Sequence, residues 1–133
     1  MTASPDLVKL ATEAQKQAYA PYSKFHVGAA LRVNGKTFIG ANVENASYGL
    51  SICAERTAMF AAVVAGAHQL EECVVITDAS PPSSPCGACR QVLREFTGDP
   101  TKVTVTAINA KGEQRSWTVA QLLPDGFSGA ELP

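Results

Sequence analysis

The first part of the chain carries apolar residues at the spacing of a helix with one buried face. Apolar residues recur at helical spacing at Leu7, Leu10, Ala11, Ala14 and Ala18. That period is typical of an amphipathic helix. Ser4 is a suitable N-cap, and Pro5 is a suitable first helical residue because its ring presets the helical φ. The segment "APYS" at 20–23 then ends the predicted helix.

Two strand-like segments follow, one on each side of an Asn-Gly pair. They are "VGAALRV" at 27–33 and "KTFIGANV" at 36–43, separated by Asn34 and Gly35. Asn-Gly favours the tightest hairpin turn because both central positions need a positive φ. The pattern therefore predicts a β-hairpin.

Beyond the hairpin, helical and strand patterns alternate. The predicted elements are a helix at 53–65 stopped by Gly66, a buried strand at 73–77, a helix at 86–96, a strand at 102–108 and a short helix between Thr118 and Pro124. A strand–helix–strand order implies a right-handed crossover between parallel strands. We therefore predict an α/β fold, a three-layer α/β/α sandwich with a mixed β-sheet. In such folds the site lies beyond the carboxyl ends of the parallel strands.

Length and composition favour one globular domain over residues 1–133. A chain of 133 residues can build one hydrophobic core but not two. Its hydrophobic fraction of 46% and charged fraction of 17% are those of an ordinary folded protein. The net charge is −1 and Lys and Arg do not cluster, so we expect no nucleic-acid partner, because phosphate binding needs several cations on one face.

We also expect no membrane association and a cytoplasmic location. The longest apolar run, "AMFAAVVA" at 58–65, is far shorter than the roughly 20 residues of a membrane span. The N-terminal segment "MTASPDLVKL" lacks the basic start and apolar stretch of a secretory signal.

The cysteines introduce the candidate chemistry. They are Cys53, Cys73, Cys86 and Cys89. In a reducing compartment, spaced cysteines indicate metal binding or catalysis before disulfides. Three of them begin predicted helices, whose N-terminal dipoles favour thiolates. Three thiolates on zinc leave a fourth position for water, which is typical of a catalytic site and not of a structural one.

Three other interpretations of the cysteines compete with catalytic zinc. Cys86 and Cys89 form a C-x-x-C pair that could be redox-active, although Pro85 replaces the aromatic residue usual before such a pair. Cys73 could complete a structural zinc site, but we predict that it begins a strand at the end away from the loop leading to Cys86. Cys53 could be a small core residue.

Glu55 distinguishes catalytic zinc from these alternatives. It follows Cys53 by two residues, a step that rotates about 200° around a helix. Its side chain can therefore approach a metal-bound water from the side and carry protons. Neither a redox pair nor a structural zinc site needs such a carboxylate.

Together, "CAE" at 53–55 and "PCGAC" at 85–89 resemble the signature of the zinc-dependent cytidine deaminase family. The resemblance is to the short homotetrameric type, with three thiolates as ligands. It extends through "YAPYSKFHVGAAL" at 19–31, "GANVENASYGLSICAERTA" at 40–58, "SPCGACRQVL" at 84–93 and "LLPDGFS" at 122–128.

The resemblance implies an enzyme, a zinc-dependent hydrolase for cytidine and 2′-deoxycytidine. It would release ammonia, leave uridine or 2′-deoxyuridine, and serve pyrimidine salvage through a zinc-bound hydroxide and a glutamate proton shuttle. One Zn²⁺ per subunit would be bound by Cys53, Cys86 and Cys89, and Glu55 would be the catalytic proton carrier. Arg56 would hydrogen-bond the cysteine sulfurs.

The resemblance also implies the residues that bind a small-molecule nucleoside. Phe25 would pack against the pyrimidine, Asn42 and Glu44 would hydrogen-bond the ribose hydroxyls, and Ala54 would contact the substrate. Turn chemistry at the hairpin end is the alternative for Asn42 and Glu44, and core packing is the alternative for Phe25. Another cytosine nucleoside such as blasticidin S is the alternative substrate, but Glu44 suits a ribose diol that it lacks.

Finally, the resemblance implies a homotetramer whose active sites are shared between subunits. Ala46, Tyr48 and Phe127 would reach the site of a neighbouring subunit. The run at 58–65 is apolar nearly all round, which is typical of a helix buried on every side, and a single sheet can cover only one of its faces. The alternative for Phe127 is packing onto its own core.

Overall fold

The computed structural model describes residues 2–133. Its elements are α1 (Pro5–Gln15), β1 (Val27–Val33), β2 (Lys36–Ala41), α2 (Ala54–Val64), β3 (Leu70–Thr77), α3 (Gly87–Glu95), β4 (Thr104–Ile108), β5 (Gln114–Thr118) and α4 (Val119–Leu122), with short 3₁₀ turns at Tyr48–Leu50 and Gly129–Glu131. None of the helices in this described part has the length and apolar character needed to cross a membrane.

The five strands form one mixed sheet in the order β2-β1-β3-β4-β5. Only β3 and β4 are parallel, and the remaining neighbours are antiparallel. Side chains alternate between the two faces. Ala30, Val74 and Ile76 pack against α1, while the opposite face packs against α2, α3 and α4. The predicted three-layer α/β/α sandwich is confirmed.

The hairpin is held between helices from both sides at two glycines. A Cβ on Gly28 would lie 2.2 Å from the carbonyl oxygen of Ala11 in α1. A Cβ on Gly40 would lie 2.4 Å from the amide nitrogen of Ala58 in α2. Because real Cβ atoms do not approach so closely, only glycine lets the helices lie this near the strands. This close packing fixes the N-terminus of α2 beside the hairpin.

Local turn chemistry predicted the hairpin correctly. Asn34 and Gly35 have φ values of 51° and 74°, as the two central positions of this turn require. Ser4 does occupy the N-cap of α1, but its hydroxyl donates to Glu72 Oε1 at 2.6 Å instead of capping the helix.

The two largest differences between predicted and observed boundaries are three residues each. Helix α1 ends at Gln15, before the predicted Ala18, and Tyr19 bonds through its backbone to Asn42 and Glu44. Strand β3 starts at Leu70, so Cys73 lies within the strand and does not begin it. Long-range backbone pairings set both boundaries, and local periodicity does not encode such pairings.

The fifth strand was not predicted. Its sequence, "QRSWT", has no apolar alternation, because β5 is an edge strand that pairs only with β4. Trp117 packs against the core on one side of it, and Arg115 lies over the Trp117 ring at 4.7 Å. The strand is therefore specified by its partner and by one aromatic side chain.

Candidate active site

Two helix N-termini bring three thiols together. Cys53 is the N-cap of α2, Cys86 is the N-cap of α3, and Cys89 lies in the first turn of α3. Their Sγ atoms all lie within 4.8 Å of one another, with Cys53 and Cys86 at 3.7 Å. Around a tetrahedral zinc with bonds of about 2.3 Å, sulfurs lie about 3.8 Å apart. The donor set and its spacing therefore fit a zinc ion.

Cys73 stays outside this cluster. It is fully buried in the core beneath α2, and burial raises the pKa of its thiol. All four cysteines are free thiols. The cluster is therefore a three-thiol site, as the sequence predicted, and the structural site with four cysteines is not formed.

Contacts among the clustered thiols and Arg56 shift the pKa values of these groups. A hydrogen bond from Cys89, with further help from Arg56 and Cys86, lowers the pKa of Cys53 to about 5. The same hydrogen bond holds the proton on Cys89 and therefore raises the pKa of the Cys89 thiol. Arg56 Nη2 lies 3.5 Å from Cys53 Sγ, and this contact raises the pKa of the guanidinium. The site therefore stabilises negative sulfur even before a metal binds.

Glu55 lies beside the thiols in the first turn of α2. Its side chain is 5% exposed. Burial, together with the nearby charge of Cys53, raises its pKa to about 7. A carboxyl group with a pKa near the working pH can both accept and release a proton, as a general acid–base requires.

A cavity of about 280 Å³ adjoins the cluster. One part of its lining, here called the thiol side, includes Cys53, Ala54, Glu55 and Cys86. Another part, here called the hairpin side, includes Phe25, Asn42 and Glu44. The structure thus gathers these seven predicted residues around one space, and Cys89 joins them through the thiol cluster.

The polar groups of the hairpin side are already held by the loop between α1 and β1. Asn42 accepts a bond from Val27 N at 2.9 Å and donates to Phe25 O at 2.9 Å. Glu44 Oε1 accepts from Tyr22 N and Ser23 N, each at 3.1 Å. Glu44 Oε2 accepts from the Ser23 hydroxyl. Turn chemistry is therefore present, and it orients both side chains at the cavity edge.

The three residues assigned to neighbouring subunits do not line this cavity. Ala46 is exposed, Tyr48 is 78% exposed and Phe127 is 56% exposed. Phe127 does not pack into the core of its own chain, and its carbonyl accepts a bond from Gln91 Nε2 at 3.0 Å. Tyr48 lines a second space of about 340 Å³ that shares Glu44 with the first.

Several lining residues were missed by sequence reasoning. They are Val27, Ser51, Ile52, Val75, Thr77, Ser83 and Ser84. Thr77 ends β3, so the rule that sites form at the carboxyl ends of parallel strands could have found it. Ser83 and Ser84 precede Cys86 in a loop whose path the sequence does not determine.

Arg90 holds that loop in place and was also missed. Its guanidinium donates to Pro85 O at 2.8 Å, Ser84 Oγ at 2.7 Å and Leu122 O at 2.9 Å. These three bonds join α3, the loop before Cys86 and α4. The sequence offers only an arginine directly after Cys89 as a signal.

Comparisons with known proteins agree with this geometry. Residues 1–107 match the family described as the cytidine and deoxycytidylate deaminase zinc-binding region. The chain is 47% identical to a cytidine deaminase of Sporosarcina psychrophila, over 96% of this chain and 95% of that protein. It is 42% identical to a probable cytidine deaminase of Dictyostelium discoideum, over 94% of this chain and 84% of that protein.

Solved structures extend the likeness to the fold. The crystal structure of cytidine deaminase from Burkholderia pseudomallei superposes with a TM-score of 0.87 at 48% identity, covering 95% of this chain and all of that one. Cytidine deaminase from Mycobacterium tuberculosis superposes with a TM-score of 0.76 at 38% identity, covering 92% and 94%. With the thiol cluster and the matched signature, these likenesses show that the chain belongs to the cytidine and deoxycytidylate deaminase zinc-binding family.

Proposed function

We propose that this protein is a zinc-dependent cytidine deaminase of pyrimidine salvage. It hydrolyses cytidine and 2′-deoxycytidine to uridine and 2′-deoxyuridine with release of ammonia. The observation that carries this proposal is the buried Glu55 beside three clustered thiols, on a cavity whose other side presents Asn42 and Glu44. Relatives named cytidine deaminase over nearly the whole chain support the same substrate.

Cys53, Cys86 and Cys89 would hold one zinc ion per subunit. Bound zinc supplies Lewis acidity and makes a water molecule a nucleophile near neutral pH. Three thiolates donate strongly to a metal and oppose that effect. Arg56, at 3.5 Å from Cys53 Sγ, draws charge from the sulfurs, and the N-terminal dipoles of α2 and α3 act in the same direction.

Glu55 moves the protons. Deamination at C4 of the pyrimidine requires a proton to leave water, and protons to reach the ring nitrogen and the departing amine. A single carboxyl group with a pKa raised to about 7 can accept at the first step and donate at the later ones. Its burial keeps bulk water from taking over these transfers.

The hairpin side would recognise the nucleoside. Phe25 packs against the pyrimidine, and Ala54 contacts the substrate at the N-terminus of α2. Asn42 retains one free N–H after its two backbone bonds, and Glu44 retains acceptor capacity. An amide donor and a carboxylate acceptor together suit a sugar diol.

We propose that the working form is a homotetramer with shared sites. The outer face of α2 exposes apolar side chains, with Phe60 at 42% and Val64 at 90% exposure. Tyr48 is exposed beside the second space, which shares Glu44 with the cavity. Phe127 is exposed on the C-terminal tail, where its carbonyl accepts a bond from Gln91 of α3. A second copy could cover both side chains. Shared sites predict that activity is lost as the assembly dissociates.

Light scattering at a series of dilutions, run beside the activity assay, tests this assembly. Activity that falls as the scattering mass falls towards that of a single chain is the expected result. Full activity in a monodisperse single chain would rule out shared sites.

We further propose that residues 1–133 act as one catalytic domain in the cytoplasm. A single sheet with helices on both faces supports one domain. A zinc site of three free thiols needs a reducing compartment, and the cytosol supplies one.

The test of function is the fall in ultraviolet absorbance when cytidine is added to the purified, zinc-loaded protein. We expect turnover of cytidine and 2′-deoxycytidine with stoichiometric ammonia. Turnover of blasticidin S in place of both would contradict the substrate assignment, and thiol–disulfide exchange without ammonia release would contradict the reaction.

A further inference from the structure

The loop between α1 and β1 contains a hydroxyl group that bridges two residues of the hairpin side. Ser23 Oγ accepts a hydrogen bond from Phe25 N at 3.0 Å and donates to Glu44 Oε2. Ser23 itself does not line the cavity, whereas Phe25 and Glu44 both do. The hydroxyl therefore connects the residue that would pack on the base with the residue that would bind the sugar.

The direction of these bonds is fixed by their donors. Phe25 contributes an N–H and an ionised carboxylate can only accept, so the single hydroxyl proton of Ser23 must point to Glu44. The same carboxylate accepts from Tyr22 N and Ser23 N on its other oxygen. The bond from Ser23 is also the main reason that the pKa of Glu44 lies below its usual range.

Without the Ser23 hydroxyl, the remaining bonds to Glu44 come from two backbone N–H groups and both fall on one oxygen, Oε1. The other oxygen would have no partner within the chain, and the carboxylate could rotate about its last torsion, which is broad in energy. Phe25 N would lose its acceptor at the same time. The hydroxyl thus limits the orientation of the group that meets the sugar.

We propose that Ser23 is a positioning residue that fixes Glu44 for recognition of the sugar hydroxyls. This inference rests on the proposed function. It assigns part of the nucleoside specificity to a residue outside the cavity. Its effect must depend on the hydroxyls of the substrate and on the carboxylate of Glu44.

The test compares cytidine with 2′,3′-dideoxycytidine in the zinc-loaded protein. We expect Ser23→Ala to raise KM for cytidine about tenfold, because losing a hydrogen bond to a charged group typically weakens an interaction by about that factor. KM for the dideoxy substrate should change less than about twofold, since it lacks the hydroxyls that Glu44 would bind. Ser23→Thr keeps the hydroxyl and should restore the cytidine KM.

Two further variants separate positioning from general loosening of the loop. In a Glu44→Ala background, Ser23→Ala should add no further rise in KM. Thr101→Ala is the matched control, because Thr101 Oγ1 donates to the Asp99 carboxylate at 2.7 Å ahead of β4, whereas the cavity adjoins the end of β3. It removes a similar bond and should leave both KM values unchanged.

The outcomes are distinct. An unchanged cytidine KM in Ser23→Ala would overturn the inference. An equal rise for both substrates, or a full additional rise in the Glu44→Ala background, would also overturn it, because Ser23 would then act independently of Glu44. A wild-type protein that deaminates neither substrate would overturn the proposed function, and this inference with it.

Discussion

The two sides of the cavity are built by different means. The thiol side comes from the first turns of two helices pressed onto the sheet, and Ala54 and Glu55 are buried there. The hairpin side comes from loop residues at its edge, and Phe25 is 38% exposed. Hydrogen bonds, and not core packing, orient Asn42 and Glu44: backbone groups bond to both side chains, and the Ser23 hydroxyl also bonds to Glu44. The raised pKa of Glu55 and the lowered pKa of Cys53 thus belong to the thiol side, and we propose that recognition of the nucleoside belongs to the hairpin side, which a neighbour could still cover.

Because of this difference, we expect substitutions on the two sides to change different kinetic constants. Changes on the thiol side should act mainly on kcat, because proton transfer and metal electronics occur in the chemical step. Changes on the hairpin side should act mainly on KM.

Glu55→Gln should have the largest effect. The amide keeps the shape of the side chain but cannot carry protons, and general acid–base help is typically worth about 10²–10⁴-fold in rate. We expect kcat to fall by at least that range, with zinc content and fold unchanged. Steady-state kinetics and metal analysis measure both, and a near-normal kcat would remove Glu55 from the mechanism.

Arg56→Ala should have the next largest effect. We expect kcat to fall about 10–100-fold, a loss typical of substitutions at groups that support metal ligands. Without the guanidinium near Cys53 Sγ, the thiolates donate more strongly to the metal. Cys53→Ser, with and without Arg56→Ala, provides the control, because the sulfur that Arg56 contacts is then absent. A rise in KM alone, with kcat intact, would not fit this role.

The burial of Glu55 should destabilise the metal-free protein as pH rises. Its folded pKa of about 7 lies above the usual 4.5, so the folded state holds the proton more tightly between these values. Stability is therefore lost as pH rises from about 4.5 to about 7. We expect the metal-free Glu55→Gln variant to gain about 2 kcal/mol over wild type between pH 5 and pH 8.

Urea unfolding under reducing conditions measures that gain. Glu95→Gln, at an exposed position in α3, is the control and should show no such pH-dependent difference. A constant difference between wild type and Glu55→Gln at both pH values would mean that Glu55 is not held in a desolvated site.

Glu44→Ala should have the smallest of these effects, a rise in KM of about tenfold for cytidine. Its carboxylate would no longer meet the sugar, and the loop at Tyr22 and Ser23 would lose its acceptor. Glu71→Ala is a suitable control, because that carboxylate accepts from Gly35 N in the hairpin turn and does not line the cavity. A drop in kcat with no change in KM would place Glu44 on the chemical side instead.

Sequence reasoning succeeded where the determinants are local. Asn34-Gly35 encodes its own turn, and the cysteines at 53, 86 and 89 sit at helix starts that the pattern locates to within one residue. It therefore predicted the fold class and the three-thiol cluster. The resemblance to a known family added the residues of the hairpin side.

It failed where distant segments decide the structure. Strand β5 depends on β4 for its pairing, and α1 ends early because Tyr19 bonds to the segment after β2. The residues that hold the site in place could not be predicted from the sequence either. Ser23 reaches Glu44 across 21 residues and Arg90 reaches Leu122 across 32, and no local pattern marks either contact.

We expect the chemical step and nucleoside recognition to depend on separable sides of one cavity. The most direct test is calorimetric binding of cytidine to zinc-loaded Glu55→Gln, with and without Glu44→Ala. We expect the inactive Glu55→Gln protein to bind cytidine with a Kd near the wild-type KM, and we expect adding Glu44→Ala to weaken this binding about tenfold. A folded, zinc-loaded Glu55→Gln protein that does not bind cytidine, or that binds it equally well without Glu44, would show that chemistry and recognition are not divided between the two sides.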